Sequence, residues 1–187
     1  MDKILVTDPP YGMAYKSNAS KYKNGIKIIG DENTDSRDKA IHLFGDGPAI
    51  VFGTWRVPRP SKVRALLVWD KGDSPGMGDL SLPWGSSHEE IYVMGTGFFG
   101  KRKSSVLRFP GLSASDYNRP DHPTPKPIPL MKDLIANCPS GIIVDPFMGS
   151  GSTLRAAKDL GRKAIGIELN ERYCEIAAQR MLQEVLI

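Results

Sequence analysis

Short runs of apolar and β-branched residues, each bounded by glycine, proline or aspartate, recur along the chain. Runs of this length and composition are typical of strands that are buried in a sheet. The pattern predicts six strands, at Ile4–Thr7, Ala49–Phe52, Ala65–Trp69, Glu90–Met94, Gly141–Val144 and Lys163–Ile167.

Other stretches place their apolar residues at helical spacing. Leu130, Leu134 and Ile135, for example, share one face of a helix, as expected where a helix packs on a sheet. The predicted helices are Thr34–Phe44, Ile128–Cys138, Ser152–Leu160 and Asn170–Leu186. Alternation of strands and helices predicts an α/β domain with a mostly parallel sheet that helices cover.

One connection breaks this alternation. Gly72–Ser87 is rich in glycine, serine and proline and has no helical period. Two strands joined without a crossover helix are typically antiparallel. Trp69 and Ile91 are therefore predicted to lie in neighbouring antiparallel strands.

Composition narrows the class of protein. A chain of 187 residues is long enough for one domain with its own core. No apolar run approaches the roughly 20 residues that span a bilayer, and no signal-peptide pattern is present, so a cytoplasmic protein is expected. The two cysteines, Cys138 and Cys174, lack ligand spacing and are interpreted as packing residues, so no metal is predicted.

The net charge of +4 is small, but cations concentrate in two segments. Seven cations against two acids lie between Gly97 and Lys132, and five against one lie between Thr54 and Gly72. Such segments suit a phosphate backbone, and they equally suit two solvated surface loops. Charge alone leaves both interpretations open.

A glycine-rich turn, DPFMGSGST, follows the fifth predicted strand. Asp145 ends that strand, and Gly149 and Gly151 allow a tight loop before a helix whose free N–H groups suit a charged ligand. Glu168 ends the next strand, where an acid can accept hydrogen bonds from ribose hydroxyls. The pattern predicts a nucleoside-type pocket, although Leu154 stands where a dinucleotide fingerprint needs its third glycine. A structural alternative is that Asp145 merely caps the turn.

The first predicted strand runs directly into Asp8, Pro9, Pro10 and Tyr11. Two successive prolines fix φ at about −65° and remove amide donors, so nearby acceptors stay aimed. The alternative is a strand end followed by a proline-rich turn, with Tyr11 as a packing residue.

Together, DPPY at residues 8–11 and DPFMGSGST at 145–153 resemble S-adenosylmethionine-dependent DNA amino-methyltransferases of the β class, whose catalytic half precedes the cofactor half. Three further segments resemble that family in the right order: VWDKG at 68–72, SHEEIYVM at 87–94 and HPTPKP at 122–127. The resemblance implies a Rossmann-like methyltransferase sheet, mostly parallel with an antiparallel strand pair and with helices on both faces. Its first strand would lie beside the strand that ends at Asp145.

The resemblance also implies a role for each site residue. Asp8 and the Pro9 carbonyl would accept hydrogen bonds from the exocyclic amine of a flipped base, Pro10 would stiffen the turn, and Tyr11 would stack on the base. The implied methyl donor is S-adenosyl-L-methionine, held by Asp8, Thr124, Lys126, Asp145, Phe147, Gly149, Gly151, Ser152, Thr153 and Glu168. For the HPTPKP segment the alternative is an N-cap-like turn with a solvated lysine.

The expected activity is methyl transfer to adenine N6 in double-stranded DNA. Cytosine N4, an RNA substrate, and a degenerate subunit that binds S-adenosylmethionine or DNA without turnover remain as alternatives. The chain is expected to be a single methyltransferase domain, with a catalytic half at 1–94, a basic segment at 95–121 and a cofactor half at 122–187.

The basic segment is short for this family. Gly95–Asp121 has 27 residues where relatives that read DNA unaided usually carry a sizeable insert. Its cations are predicted DNA contacts, and low or short-site specificity is expected. The usual third strand of the cofactor half is expected to be absent or supplied otherwise, which predicts an exposed sheet edge or a homodimer contact. The predicted DNA-contact residues are Lys101, Arg102, Lys103 and Arg108.

Overall fold

The computed structural model describes residues 2–14, 28–73, 81–112 and 120–183. Over these ranges seven strands and four helices follow one another. The strands are β1 (Lys3–Thr7), β2 (Ala49–Gly53), β3 (Ala65–Asp70), β4 (His88–Met94), β5 (Val106–Arg108), β6 (Ile142–Asp145) and β7 (Ala164–Gly166). The helices are α1 (Asp35–Phe44), α2 (Ile128–Ile135), α3 (Ser152–Asp159) and α4 (Glu171–Leu182).

The strands form one sheet in the order β5-β3-β4-β2-β1-β6-β7. β1 is parallel to both of its neighbours, with Thr7 opposite Val51 of β2 and Leu5 opposite Val144 of β6. β4 runs antiparallel to β2 and to β3. The predicted α/β sheet, mostly parallel with an antiparallel strand pair, is confirmed, and so is the position of β1 beside β6.

β1 is buried because its side chains alternate between two apolar layers. Ile4 belongs to a core cluster that includes Leu130 of α2 and Ala156 of α3. Leu5 belongs to a second cluster, against which Ile41 of α1 packs. The helices therefore cover both faces of the sheet, as predicted.

Several helix and strand ends differ from the prediction, and β4, for example, begins at His88 instead of Glu90. α2 ends at Ile135 instead of Cys138, because the next turn is tighter, with the Asn137 and Cys138 N–H groups donating to carbonyls three residues back. α4 ends at Leu182, and residues 184–187 lie outside the described part of the chain. β5, in the basic segment, was not predicted, because only Leu107 of its three residues is buried and three residues show no periodicity.

The strands of the sheet end along two opposite sides, and we call each side an edge, in a sense different from an outer strand. At the edge called the carboxyl edge below, the parallel strands end and the antiparallel β4 begins, so that Asp70 lies opposite His88. At the opposite edge, called the amino edge, β2 begins and β4 ends, so that Ala49 lies opposite Met94. Strands of five to seven residues separate the two edges by about 20 Å.

Within the described ranges, no helix has both the length and the apolar composition needed to cross a membrane.

Candidate active site

Four separate segments of the chain meet at the carboxyl edge just beyond β1. Asp8 and Tyr11 lie in the turn after β1, and Glu89 is the second residue of β4. The Tyr11 hydroxyl oxygen lies 2.7 Å from Asp8 Oδ1 and 2.8 Å from Glu89 Oε2. A phenol has one proton to donate, so Tyr11 serves one carboxylate at a time and holds the two close together.

Two lysines balance the charge of these carboxylates. Lys126, which precedes α2, donates a short hydrogen bond to Asp8 Oδ2, and its Nζ lies 3.3 Å from Glu89 Oε2. Lys71, which follows β3, donates to Glu89 Oε1 over 2.6 Å. We call the residues Asp8, Tyr11, Lys71, Glu89 and Lys126 the charged cluster.

Lys126 is the most deeply buried member of the charged cluster. Its side chain is 7% exposed, which rules out the solvated lysine that was one interpretation of the HPTPKP segment. Its Nζ lies 5.1 Å from the ring centre of Phe52, 5.8 Å from that of Tyr11 and 5.9 Å from that of Trp69. Aromatic faces attract a cation, so these rings help to hold the ammonium group where water does not reach it.

The pKa values of the charged cluster follow from burial and from these pairs. Burial raises the pKa of Asp8, and Glu89 adds to the rise while Lys126 opposes it. Burial alone would raise the pKa of Glu89, but Lys126 and Lys71 outweigh it and lower the pKa to about 2. Burial and both carboxylates raise the pKa of Tyr11 well above its usual value. Although burial disfavours its charge, Asp8 and Glu89 raise the pKa of Lys126.

Asp145, at the end of β6, organises the loop that follows it. Its Oδ1 accepts hydrogen bonds from Thr7 Oγ1 over 2.6 Å and from the Phe147 N–H over 3.1 Å, and the Thr153 side chain donates to the same carboxyl. Burial raises the pKa of Asp145 to about 6 despite these bonds. Asp145 therefore caps the turn that follows it, as the structural alternative held, and it also has a partner from β1.

The glycine loop depends on backbone conformations that favour glycine. Gly149 has φ of +49°, and Gly151, which precedes α3, has φ of +78°. A Cβ at Gly149 would lie 2.8 Å from His122 Nε2, and a Cβ at Gly151 would lie 2.9 Å from the Ala177 Cβ. The glycines thus allow α4 and the HPTPKP segment to approach the loop closely.

Glu168, after β7, is fixed by backbone donors. Its Oε2 accepts from the Gly149 N–H over 3.0 Å, and its Oε1 accepts from Leu169 and Asn170 N–H groups over 2.8 Å each. Three bonds use three of the about four acceptor sites of a carboxylate. Glu168 therefore ties the glycine loop to the start of α4 and keeps its carboxylate at the carboxyl edge.

The remaining predicted cofactor residues lie around this loop. Ser152 and Thr153 are buried in the first turn of α3, and Phe147 is partly buried. Thr124 is exposed, and its N–H donates to His122 Nδ1 over 3.3 Å. The structure brings these four residues to the glycine loop at the carboxyl edge. Lys126, which was also predicted to bind the cofactor, instead contacts the carboxylate of Asp8.

The predicted DNA contacts fall at two different edges. Lys101, Arg102 and Lys103 are exposed in the connection from the end of β4 to the start of β5, at the amino edge, where Lys103 Nζ pairs with Asp133 over 2.6 Å. Arg108 ends β5 at the carboxyl edge, with its Nε 3.4 Å from Asp70 Oδ2. Of the four cations, the structure brings only Arg108 to the edge that carries Asp8. Residues 113–119 of the basic segment lie outside the described ranges.

Two site residues, Thr7 and Glu89, were not singled out from the sequence, and Lys71 was placed at a strand end near the predicted pocket without a role. Thr7, Lys71 and Glu89 all lie within or next to the recognised segments. For Glu89 a signal exists: it lies two residues before Ile91, which is buried in the same layer as Ile4, so strand periodicity points its carboxylate toward the face of Asp8. Thr7 and Lys71 carry no comparable signal.

The donor set fits S-adenosylmethionine. The N–H groups of the first turn of α3, the buried hydroxyls of that turn and an acid after β7 suit a ligand with a ribose and a charged amino-acid end. Over the described ranges, no group of three or more histidine, cysteine, aspartate or glutamate residues is arranged to hold a metal ion.

Comparisons with known proteins agree with this geometry. Residues 68–179 match the N6/N4 DNA methylase family model. The putative methylase YubD of Escherichia coli is 30% identical over an alignment of 195 positions, which covers 95% of this chain and 81% of the relative. Type II methyltransferase M2.MboI of Moraxella bovis is 33% identical over 218 positions, covering 95% of this chain and 79% of the relative.

Solved structures show the same fold. The complex of M1.HpyAVI with SAM superposes with a TM-score of 0.66 at 24% identity and covers 97% of this chain and 89% of that one. PvuII DNA methyltransferase, a cytosine-N4-specific protein, has a TM-score of 0.66 at 18% identity and covers 99% of this chain and 81% of that one. The family match, the full-length relatives and the site together show that the chain belongs to the S-adenosylmethionine-dependent DNA amino-methyltransferases of the N6/N4 type.

Proposed function

We propose that this protein transfers the methyl group of S-adenosylmethionine to N6 of an adenine that has left the DNA duplex. The observation that carries the proposal is the position of Asp8. It directly follows β1, which pairs with β6, and the last residue of β6 begins the glycine loop. Ligands in open α/β sheets bind beyond the carboxyl ends of such neighbouring strands.

The chemistry requires two acceptors for the exocyclic amine. Its lone pair is delocalised into the ring, and hydrogen bonds from both amine hydrogens to Asp8 and to the Pro9 carbonyl favour a tetrahedral nitrogen with an available lone pair. Preorganised acceptors of this kind need no reorientation during the reaction. Pro9 and Pro10 supply the rigidity, since their rings fix φ.

The cofactor half holds the other reactant. When bound, S-adenosylmethionine supplies an electrophilic sulfonium methyl group, whose bond to sulfur breaks as the bond to N6 forms, leaving S-adenosylhomocysteine, and the methylated amine releases one proton to water. We assign the N–H groups of the first turn of α3 and the hydroxyls of Ser152 and Thr153 to its polar end, and the remaining acceptor site of Glu168 to a ribose hydroxyl. Holding both reactants beyond adjacent strands makes the transfer effectively unimolecular.

Tyr11 is proposed to contact the flipped base. Its ring is partly buried against the core cluster, and its hydroxyl is tied to Asp8 and Glu89, so the ring cannot swing freely. A fixed aromatic face beside the amine acceptors suits stacking on an extruded base.

We propose that the DNA lies against the carboxyl edge. Trp55 and Arg56 follow β2 at this edge, and the Arg56 guanidinium carbon lies 5.5 Å from the Trp55 ring centre. Trp55 is 60% exposed, and Trp84, shortly before β4, is 79% exposed, so neither serves as a core residue. Exposed aromatic rings beside cations suit DNA, where phosphates attract the cations and unstacked bases contact the rings. Arg108 is the predicted contact that shares this edge.

Adenine is preferred over cytosine because the site carries aspartate in DPPY, the form that the resemblance associates more often with adenine. DNA adenine methyltransferase YhdJ of Escherichia coli is 43% identical over 83 residues, 43% of this chain and 28% of the relative. The division into halves and a homodimer contact at β7, where Ile165 is 46% exposed, remain predictions.

One labelling experiment tests the proposal. The protein is incubated with methyl-labelled S-adenosylmethionine and mixed DNA and RNA, which are then digested to nucleosides and identified by mass. Label in N6-methyldeoxyadenosine is expected. Label in N4-methyldeoxycytidine would overturn the choice of base, label only in RNA would overturn the substrate, and bound cofactor without label would favour the degenerate subunit.

A further inference from the structure

The charged cluster is more deeply buried than an ordinary ion pair. The side chains of Lys126, Glu89 and Asp8 are 7%, 16% and 24% exposed. Taking several charges out of water costs free energy that their attraction often fails to recover, and apolar side chains of similar size stabilise a fold as well. Stability alone therefore gives no reason for this arrangement, which lies directly on the proposed base acceptor.

We propose that Lys126, anchored by Glu89, is a positioning residue that keeps Asp8 ionised and aimed at the target amine. The inference rests on the proposed function of Asp8 as an acceptor. Only the ionised carboxylate is purely an acceptor, since a protonated carboxyl donates. Lys126 binds Oδ2 and Tyr11 binds Oδ1, so both oxygens are oriented before a base arrives.

Glu89 acts on Asp8 in two ways. Its Oε2 contacts the same two groups that bind Asp8, with Lys126 Nζ at 3.3 Å and the Tyr11 phenol oxygen at 2.8 Å. Its charge also opposes the ionisation of Asp8, as the raised pKa of Asp8 reflects. Lys126 and Glu89 thus contact each other but have opposite effects on the pKa of Asp8: Lys126 lowers it and Glu89 raises it.

Other charged and titratable groups face Asp8 from the surrounding segments. Tyr11 follows β1, Lys71 follows β3 and reaches the site through Glu89, and Asp145 ends β6 and interacts electrostatically with Asp8. None of these three residues is itself changed when Lys126 or Glu89 is substituted. A change in the titration of Asp8 therefore reports the substituted charge.

This assignment differs from the role in cofactor binding that the sequence predicted for Lys126. Asp8 and Glu89 occupy two of the three donors of its ammonium group, and drawing that group away to the carboxylate of S-adenosylmethionine would expose two neighbouring carboxylates in a site with little water. Like charges placed close together in such a site cannot both stay ionised at ordinary pH. The two roles consequently predict different results when the lysine is removed.

The test measures the titration of Asp8 in the ligand-free protein by NMR of ¹³C-labelled aspartate carboxyl groups. In Lys126→Met the pKa of Asp8 should rise by about 1–3, because a close opposite charge has gone. In Glu89→Gln it should fall, because a close like charge has gone. The acid limb of kcat/KM for DNA should move in the same two directions, and a purely structural role would not produce shifts of opposite sign.

Lys132→Met is the matched control. Lys132 lies on α2, is 40% exposed and pairs weakly with Asp159 at 3.8 Å, so its loss should leave the titration of Asp8 unchanged. Calorimetric titration should give Lys126→Met an affinity for S-adenosylmethionine within about threefold of the parent protein. If Lys126→Met does not fold, the sign of the Glu89→Gln shift decides.

Two results would overturn the proposal. One is an Asp8 titration that does not respond to either substitution, or responds to both in the same direction. The other is a loss of cofactor affinity above tenfold in Lys126→Met with Asp8 unchanged. Because the NMR titration needs no turnover, the expected shifts in a protein that does not methylate DNA would contradict the proposed function alone.

Discussion

The hydroxyl of Thr7 donates a 2.6 Å hydrogen bond to the carboxylate of Asp145, and this bond joins the two halves of the site across 138 residues of sequence. Thr7 directly precedes Asp8, and Asp145 begins the glycine loop. The base acceptor and the cofactor loop are therefore fixed to each other by one buried contact as well as by the pairing of β1 with β6.

Thr7→Val removes that contact while keeping the shape of the side chain. We expect a loss of about 1–3 kcal/mol in the free energy of unfolding, because a buried carboxyl loses a donor. Urea unfolding followed by circular dichroism measures it. Thr7→Ser, which retains the hydroxyl, should keep most of the stability, and a Ser variant as unstable as the Val variant would contradict this account.

Asp8→Ala should abolish turnover with little loss of cofactor affinity. Removing one preorganised electrostatic partner of a reacting group typically lowers kcat by about 100-fold or more. Methyl incorporation into DNA and calorimetric titration of S-adenosylmethionine are the two measurements. Asp46→Ala, which removes an exposed carboxylate paired with Lys62, is the control and should behave like the parent protein. An Asp8→Ala protein with most of its activity would refute the acceptor role.

Gly149→Ala should weaken cofactor binding by tenfold or more. The added Cβ meets His122 at 2.8 Å, so the loop must shift away from the HPTPKP segment. Gly161→Ala separates this clash from backbone strain, since Gly161 has a similar φ of +65° but no heavy atom within 4 Å. It should cost about 1–2 kcal/mol of stability and leave the affinity for S-adenosylmethionine unchanged. Equal losses of affinity in both variants would show that strain, not the clash, is responsible.

The contribution of Asp145 to the unfolding free energy should decrease as the pH is raised from about 4 to about 6. Its pKa is about 6 in the folded protein against 3.8 for an ordinary aspartate, so the folded state binds the extra proton in this range. This contribution therefore decreases as pH rises through this window and is constant above it. The difference corresponds to about 3 kcal/mol.

Asp145→Asn removes this titration. The unfolding free energy of the variant, relative to the parent protein, should rise from pH 4 to about pH 6.5 and then level off, on top of a constant offset from the changed hydrogen bonds. Urea unfolding at a series of pH values measures it. A difference that does not depend on pH would mean that Asp145 titrates normally.

DNA binding should depend on cations at the carboxyl edge. Arg56→Ala combined with Arg108→Ala should weaken binding to duplex DNA and reduce the slope of log K against log salt by about 1 per lost phosphate contact. Fluorescence anisotropy with a labelled duplex measures both. The control pair, Lys101→Ala with Lys103→Ala, removes the same charge at the amino edge. If the control pair has the larger effect, the DNA lies elsewhere.

The sequence predicted the sheet well because its strands are short, apolar and sharply bounded. The apolar runs of β1 and β6, and the residues that follow them, were enough to predict both strands. Their parallel pairing places Asp8 and Asp145 at the same edge. β5 was not predicted because it has one buried residue and lies in a charged segment. It is stabilised by pairing with β3 and not by its own composition.

The charged cluster shows where prediction from sequence stops. The HPTPKP segment was recognised, but which carboxylate Lys126 meets depends on the packing of the segment before α2 against β1 and β4. The position of Lys101 at the amino edge depends likewise on the direction of β4, which carries the chain away from the site. Neither the partner of Lys126 nor the position of Lys101 can be predicted from the neighbouring sequence alone.

The central position of β1 also has a consequence for synthesis on the ribosome. β1 is made long before β6, and at about 5–20 residues per second the 138 residues between Thr7 and Asp145 take roughly 7–30 s. During that time one hydrogen-bonding side of β1, whose middle residues Ile4, Leu5 and Val6 are apolar, has no partner, and unpaired strands of this kind aggregate. The nascent protein should therefore depend on chaperones more than its size suggests, and it should fold slowly, because its defining contact is so distant in sequence.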